Sequence, residues 1–358
     1  MRPACPGCKV ALAKDRLRQR HIDSLQGWLG YERMRYRCHE CGETYFPVDE
    51  ELELGNSRMS LEKEKQLALL SVHMPYEEAK KVYEELTQLK TGRMTAHRTV
   101  QRLGVAIAGL KVCVKKEQEK KEQPKRHVTA DGVMVAIRQE GWKEAKVGSV
   151  YEVDEEREAG EKLYTATVEN REVFGQKLYV LAGEPEAGET AKMAFISDAA
   201  RWLDELQEFS FPLAERIVDF WHVTEYLWEV ANTFYREGTA KARQWAEEKV
   251  GKLREGQAKL IQASLSQMQP RTKRQKEVLE AAQTYFHNHA HQMDYPRYET
   301  LGLHIGSGVG EAACKFVIQT RFKRSGMRWS RPGAENLLRL RLAYLNNQWD
   351  RSLDTMKN

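Results

Sequence analysis

The sequence has 358 residues, 41% of them hydrophobic, with 57 Lys and Arg against 52 Asp and Glu. That length points to two or three domains, and the apolar content to folded cores rather than a disordered chain. No apolar run is long enough to span a membrane, and the opening MRPACPGCK lacks the apolar stretch of a secretory signal, so a cytoplasmic protein is expected.

The first 55 residues read as a small module. Cys5 and Cys8 form one C-x-x-C pair and Cys38 and Cys41 a second, 29 residues further on. Four thiolates in two short knuckles suit one tetrahedral Zn²⁺, and a metal would staple a module too small for a large core. His39 reads as a loop residue of the second knuckle. The alternating run from Tyr31 to Tyr36 predicts strands joining the two knuckles.

Residues 56–114 read as a helical domain. Leu61, Leu67, Leu69 and Leu70 mark a first helix, Pro75 opens a second over Tyr76 to Leu89, and Thr95 can cap a third. The third helix offers His97, Arg98, Gln101 and Arg102 on its exposed face. Three short helices with a basic third resemble a helix-turn-helix, which points to DNA contact. Residues 115–126, KKEQEKKEQPKR, read as a linker.

The texture then changes. Strands are predicted at His127 to Ile137, Val147 to Val153 and Leu163 to Val168. A helix follows over Glu172 to Leu181, then a strand at Met193 to Ser197, a helix over Ala199 to Phe209 and a strand at Arg216 to Trp221. Three strands, helix, strand, helix, strand is the order of an RNase H-like fold. Residues 127–222 form its first part, 223–300 an all-helical stretch, and 301–358 its last part. Gly302 to Gly308 reads as a flexible loop before a helix from Val309 to about Phe322.

Charge is uneven along the chain. Residues 1–37 hold nine Lys and Arg against three acids, and residues 315–341 hold eight against one. Two basic blocks suggest a polyanion such as DNA. In the second block Lys315, Arg321, Lys323, Arg324 and Arg328 are candidate phosphate contacts. Trp329 is either a stacking platform for an unpaired base or a core residue.

Three acids stand out by their place in the predicted order. Asp131 lies in a strand beside a glycine, Asp198 ends the strand MAFIS, and Glu311 opens a helix. Such carboxylates suit Mg²⁺ or Mn²⁺, and two ions about 4 Å apart would serve the attacking and leaving oxygens of a phosphoryl transfer. Taken singly, each acid reads first as a cap or salt-bridge partner, Asp198 as a cap for the helix after it, and the trio gains weight from its order relative to the strands. Asp219 and His222, three apart at a strand-to-helix junction, form a further pair in which the acid can fix the ring.

These residues sit in blocks that resemble the ISKra-type insertion-sequence transposases, an Asp-Asp-Glu family of prokaryotic DNA transposases. The blocks are YRCHECGETYFPVDEELEL, TADG followed by WKEAKVGSVYEV, ISDAARWL, AERIVDFWHVTEYLWEVA, YETLGLHIGSGVGEAACK and RFKRSGMRWSRPGAENLLRLR, and they span almost the whole chain. The resemblance implies Asp131, Asp198 and Glu311 as the triad, with Ala199 standing where the family commonly has Gly. It makes Asp219 and His222 the C/D-x-x-H element and 223–300 the helical insertion before the final Glu. Asp219 is the rival for second acid. The expected protein is a nucleoid-associated transposase that nicks DNA and joins transposon ends to target double-stranded DNA as a homodimer or higher oligomer. A nuclease without strand transfer and a repurposed DNA-binding protein are the alternatives.

Overall fold

The computed structural model describes residues 3–52, 54, 57–109, 125–154, 156–183 and 193–354. Of the expected linker, residues 115–124 lie outside these, while Lys125 and Arg126 open a strand. In chain order the elements are β1 (Ala13–Ser24), β2 (Gly27–Arg37), β3 (Thr44–Tyr45), α1 (Pro47–Glu51), α2 (Leu61–His73), α3 (Tyr76–Thr87) and α4 (Arg93–Ala106). Next come β4 (Lys125–Ile137), β5 (Gly141–Val153), β6 (Ala159–Thr167), α5 (Arg171–Ala182), β7 (Met193–Ser197), α6 (Arg201–Ser210) and β8 (Glu215–Val218). The helices α7 (Phe220–Tyr235), α8 (Ala240–Arg254), α9 (Ala258–Ser266), α10 (Lys273–His289), α11 (Tyr295–Thr300) and α12 (Gly308–Ala313) follow, then α13 (Thr320–Phe322), α14 (Arg331–Leu345) and α15 (Trp349–Asp354). No helix among the described residues is long and apolar enough to cross a membrane.

The chain divides into two units. The first holds residues 1–110 and 332–358. Its antiparallel sheet runs β1-β2-β3, and the tight β1–β2 turn uses Gly27 at φ +95°, a conformation that favours glycine. Asp49 of α1 gathers Tyr31, Arg20 and Arg33 from the hairpin. Lys63, wholly buried on α2, pairs with Asp23 at the end of β1. The three helices pack on Met59, Leu67, Tyr83 and Ala96. α4 starts at Arg93 with Gly92 as its N-cap, so Thr95 lies inside the first turn instead of capping it.

The second segment of this unit departs from the expected division, which placed residues 301–358 with the catalytic core. α14 instead approaches α4 so closely that a Cβ on Gly104 would lie 2.5 Å from the Asn336 carbonyl oxygen. It buries Leu337, Leu338 and Leu340, and its Asn336 side chain donates to Gln101 at 2.8 Å. That approach to α4 is a long-range pairing that local sequence does not encode.

The second unit is a mixed α/β body around a five-stranded sheet, order β6-β5-β4-β7-β8. β4, β5 and β6 form an antiparallel meander, whereas β7 runs parallel to β4 and β8 parallel to β7. β7 is buried at all five residues, as a strand covered on both faces should be. One face packs Val128, Ala130 and Phe195 against Phe174 and Leu178 of α5 and Leu203 of α6. The other packs Ala194, Ile196, Ile217 and Val218 against α7.

That second core continues without a break into α8, α9 and α10 through Leu253, Ile261, Leu265 and Val278. The helical stretch therefore shares its core with the sheet and is not an independently packed insertion. α11 lies beside β8, where the Tyr295 hydroxyl donates to Val218 O at 3.1 Å and Arg297 pairs with Glu215.

Candidate active site and metal centre

In the first unit the two knuckles bring four sulfurs together. The ligand atoms of Cys5, Cys8, Cys38 and Cys41 all lie within 4.8 Å of one another, and Cys5 and Cys41 are 3.7 Å apart at sulfur. A tetrahedral Zn²⁺ with bonds of about 2.3 Å needs sulfurs about 3.8 Å apart, so the donor set fits that ion. Each knuckle closes the same way. Cys5 N–H donates to Val10 O and Cys38 N–H to Glu43 O, and the residue after the second cysteine is left-handed, Lys9 at φ 61° and Gly42 at φ 74°. Cys5 and Cys38 are buried beside Leu12, while Cys8 and Cys41 are exposed. Backbone N–H groups of Cys41 and Glu40 bring the Cys38 thiol down to about 7, towards the thiolate a metal takes.

In the second unit the strand register places the acids. β4 pairs with β7 up to Thr129 and Ile196, and β7 with β8 up to Ser197 and Val218. Continued past those pairs, the register sets Asp131, in the middle of β4, beside Asp198 and Asp219, which directly follow the C-terminal ends of β7 and β8. Side chains alternate along a strand, so all three share the face on which Ala194, Ile196 and Ile217 meet α7. Loops at this end of a parallel sheet are where sites are built in α/β proteins.

The three aspartates differ in what they hold. Asp219 is 1% exposed. One oxygen accepts from Trp221 N–H at 2.6 Å and His222 N–H at 3.0 Å, and the other from the Ser307 amide and hydroxyl. Those bonds end β8 at Val218 and start α7 at Phe220, which is why the strand stops short of the expected Trp221. Asp198 and Asp131 are half-buried. Asp198 accepts only locally, from Ala200 N–H at 3.1 Å, and its carbonyl takes the buried Arg216 guanidinium. α6 begins at Arg201 with Ala200 as its N-cap, so Asp198 stands ahead of that helix. Asp131 accepts from Gly132 N–H at 2.6 Å and from the Cys314 thiol at 3.2 Å.

Asp219 does not orient the His222 ring as expected. It holds the His222 main chain, and the ring faces Glu225 at 3.3 Å. The loop Gly302–Gly308 is likewise held at several points. Ile305 O accepts from Phe220 N–H, Ser307 is bound to Asp219, and His304 N–H donates to His127. Gly306 lies against the Trp221 indole, 2.9 Å from where its Cβ would be.

That loop delivers α12, which packs on β4 and β5 in the middle of the sheet and not at its edge. The Glu311 carboxyl, though largely exposed, is raised above the ordinary glutamate range by partial desolvation and by repulsion from Asp219 and Asp131. Asp198 acts instead on Tyr226 and Tyr285. Among the described residues, only the four cysteines bring three or more metal-ligating groups together within 4.8 Å, so Asp131, Asp198 and Glu311 do not form a closed set.

The candidate DNA contacts divide by burial. Lys315, Lys323, Arg324 and Arg328 are exposed after Glu311. Arg321 is fully buried with its guanidinium 5.0 Å from the Trp329 ring, and Trp329 is 8% exposed and donates to Phe322 O. Both are packing residues, because that end of the helix turns inward. On α4, Arg98 is exposed, His97 packs edge-on against Tyr76, and Arg102 pairs with Glu64. Neither Ser307 nor Cys314 stands out in the sequence, although Cys314 lies three residues after Glu311 and so on the same helical face.

Fold and site define a mixed α/β protein with a four-cysteine centre and a row of carboxylates across three neighbouring parallel strands. The sequence matches the Uncharacterised protein family (UPF0236) over residues 11–357, and the chain belongs to that family. A relative from Streptococcus gallolyticus, described as "UPF0236 protein in vanSb 3'region", is 24% identical over 350 residues, covering 94% of this chain and 75% of that protein.

Proposed function

We propose that this protein is a DNA transposase with an RNase H-like core, in which Asp131, Asp198 and Glu311 carry metal-dependent strand nicking and strand transfer. The observation that carries the proposal is the common register of Asp131, in the middle of β4, and Asp198, just past the end of the adjacent parallel β7, with the Glu311 helix packed across β4. An antiparallel meander extended by two parallel strands supports the RNase H-like assignment.

Asp198 is preferred to Asp219 as second acid on hydrogen-bonding grounds. A carboxylate offers about four lone-pair sites. Those of Asp219 are taken by four protein donors, whereas Asp198 keeps most of its own. The oxygen-only set fits Mg²⁺ or Mn²⁺, which when bound would activate an attacking oxygen and neutralise phosphate charge. Asp219 fixes the start of α7 and the approach to α12, and so the position of Glu311. Lys315, Lys323, Arg324 and Arg328 would hold the DNA backbone beside the acids, while the zinc module and α2–α4 would grip transposon ends as part of a dimer or larger assembly.

The test separates binding from cutting. Asp131→Asn, Asp198→Asn and Glu311→Gln should each abolish Mg²⁺-dependent nicking of duplex DNA while leaving duplex binding in chelator intact. Nicking that survives in all three variants would overturn the proposal. Nicking that survives in Asp198→Asn but not in a folded Asp219→Asn would move the second acid to Asp219.

A further inference from the structure

The helix that carries Glu311 changes its winding just beyond that residue. α12 runs to Ala313, Cys314–Gln319 continue it with π-helical bonding, and α13 resumes at Thr320. A π segment adds a residue to a turn and rotates the helix beyond it, and such segments gather at functional sites. Here it begins at Cys314, which is 3% exposed and whose thiol donates to Asp131 Oδ2. The approach is close because Gly310 has no side chain; a Cβ there would lie 2.9 Å from Thr129 Oγ1 of β4.

We propose that Cys314 is a positioning residue of this site, clasping the Asp131 carboxylate to the helix that presents Glu311. This rests on the proposed metal-binding role of those carboxylates. The half-buried Asp131 side chain, in the middle of β4, would otherwise be held by its neighbouring Gly132 N–H. The clasp fixes Oδ2 and sets the spacing between the first and third acids. The chemistry needed is a small buried donor, which serine can supply and valine cannot.

Mn²⁺ binding to the zinc-loaded full-length protein, followed by electron paramagnetic resonance, tests this without a turnover assay. Removing a partner that orients a ligating carboxylate commonly weakens metal binding by about 10–100-fold. A thiol is a weak donor, so Cys314→Ala should lose about ten-fold. Cys314→Ser should restore most of that loss, and Cys314→Val, which fills the space but donates nothing, should not. A purely structural role gives the reverse order, so any result in which serine binds Mn²⁺ no better than valine overturns the inference. If wild-type protein and Asp131→Asn bind Mn²⁺ equally, the metal-binding role fails, and the inference with it.

Discussion

Asp219 separates a structural acid from a catalytic one, and its replacement is the sharpest perturbation the site offers. Asp219→Ala removes an acceptor from four donors at once. Losing the N-cap of α7 costs about 1 kcal/mol. Leaving the Ser307 amide and hydroxyl without their charged acceptor adds about 1–3 kcal/mol. Together these losses come to about 2–4 kcal/mol. Relief of the repulsion between Asp219 and Glu311 acts in the other direction, but Glu311 is exposed and water screens that gain to a fraction of the loss. Asp198→Ala removes one backbone hydrogen bond from a half-buried group and should cost about 1 kcal/mol or less. Urea unfolding of metal-free protein should show a large drop in midpoint for Asp219→Ala and a small one for Asp198→Ala, and limited proteolysis should open the 302–308 loop only in the former. Equal stability losses in the two variants would refute the division of roles.

The same geometry sets other outcomes. Folded protein binds the Glu311 proton more tightly than unfolded protein does, so ionising Glu311 costs stability; that cost is absent below the ordinary glutamate range, grows as pH rises through the shifted value and is complete at neutral pH. Glu311→Gln should therefore stabilise metal-free protein at neutral pH and lose that advantage in acid, as read by thermal melts across pH. Purified reduced protein should contain about one zinc per chain by elemental analysis, and Cys38→Ser should release it and loosen residues 1–55 while the sheet unit stays folded. Replacing Lys323, Arg324 and Arg328 with Gln should lower the slope of log affinity against log salt by up to about 0.9 per lost phosphate contact. Arg321→Gln should lower the melting temperature instead, because its guanidinium is buried over Trp329.

The parts of this fold that depend on local pattern are legible in the sequence. The C-x-x-C pairs announce the four-sulfur cluster because each knuckle is a short-range turn, and the all-apolar MAFIS announces β7 because a strand buried on both faces has no polar side. The rest depends on side chains reaching over long separations. The Gly302–Gly308 loop reads as flexible from its glycines, yet Asp219 holds Ser307 across 88 positions. The 223–300 stretch reads as helical from its composition and, by the family resemblance, as an insertion, yet its apolar residues continue the core of β7 and β8. Arg321 reads as a DNA contact because it sits in a basic block, and only the inward turn of that helix end reveals it as core, while the same turn settles the two readings of Trp329 for the core.

The most direct test of the central claim is Mg²⁺-dependent joining of DNA ends. The substrates are duplexes taken from both flanks of the gene, incubated with a supercoiled target plasmid, and the junctions are sequenced. Wild-type protein should cut at a fixed position in each flank and join the freed 3′ ends to the plasmid, and Asp131→Asn, Asp198→Asn and Glu311→Gln should yield no junctions while still binding the duplexes. Junctions formed by any of the three variants at the wild-type rate would contradict the triad. Fixed cuts in the flanks that never yield junctions would leave a nuclease in place of a transposase.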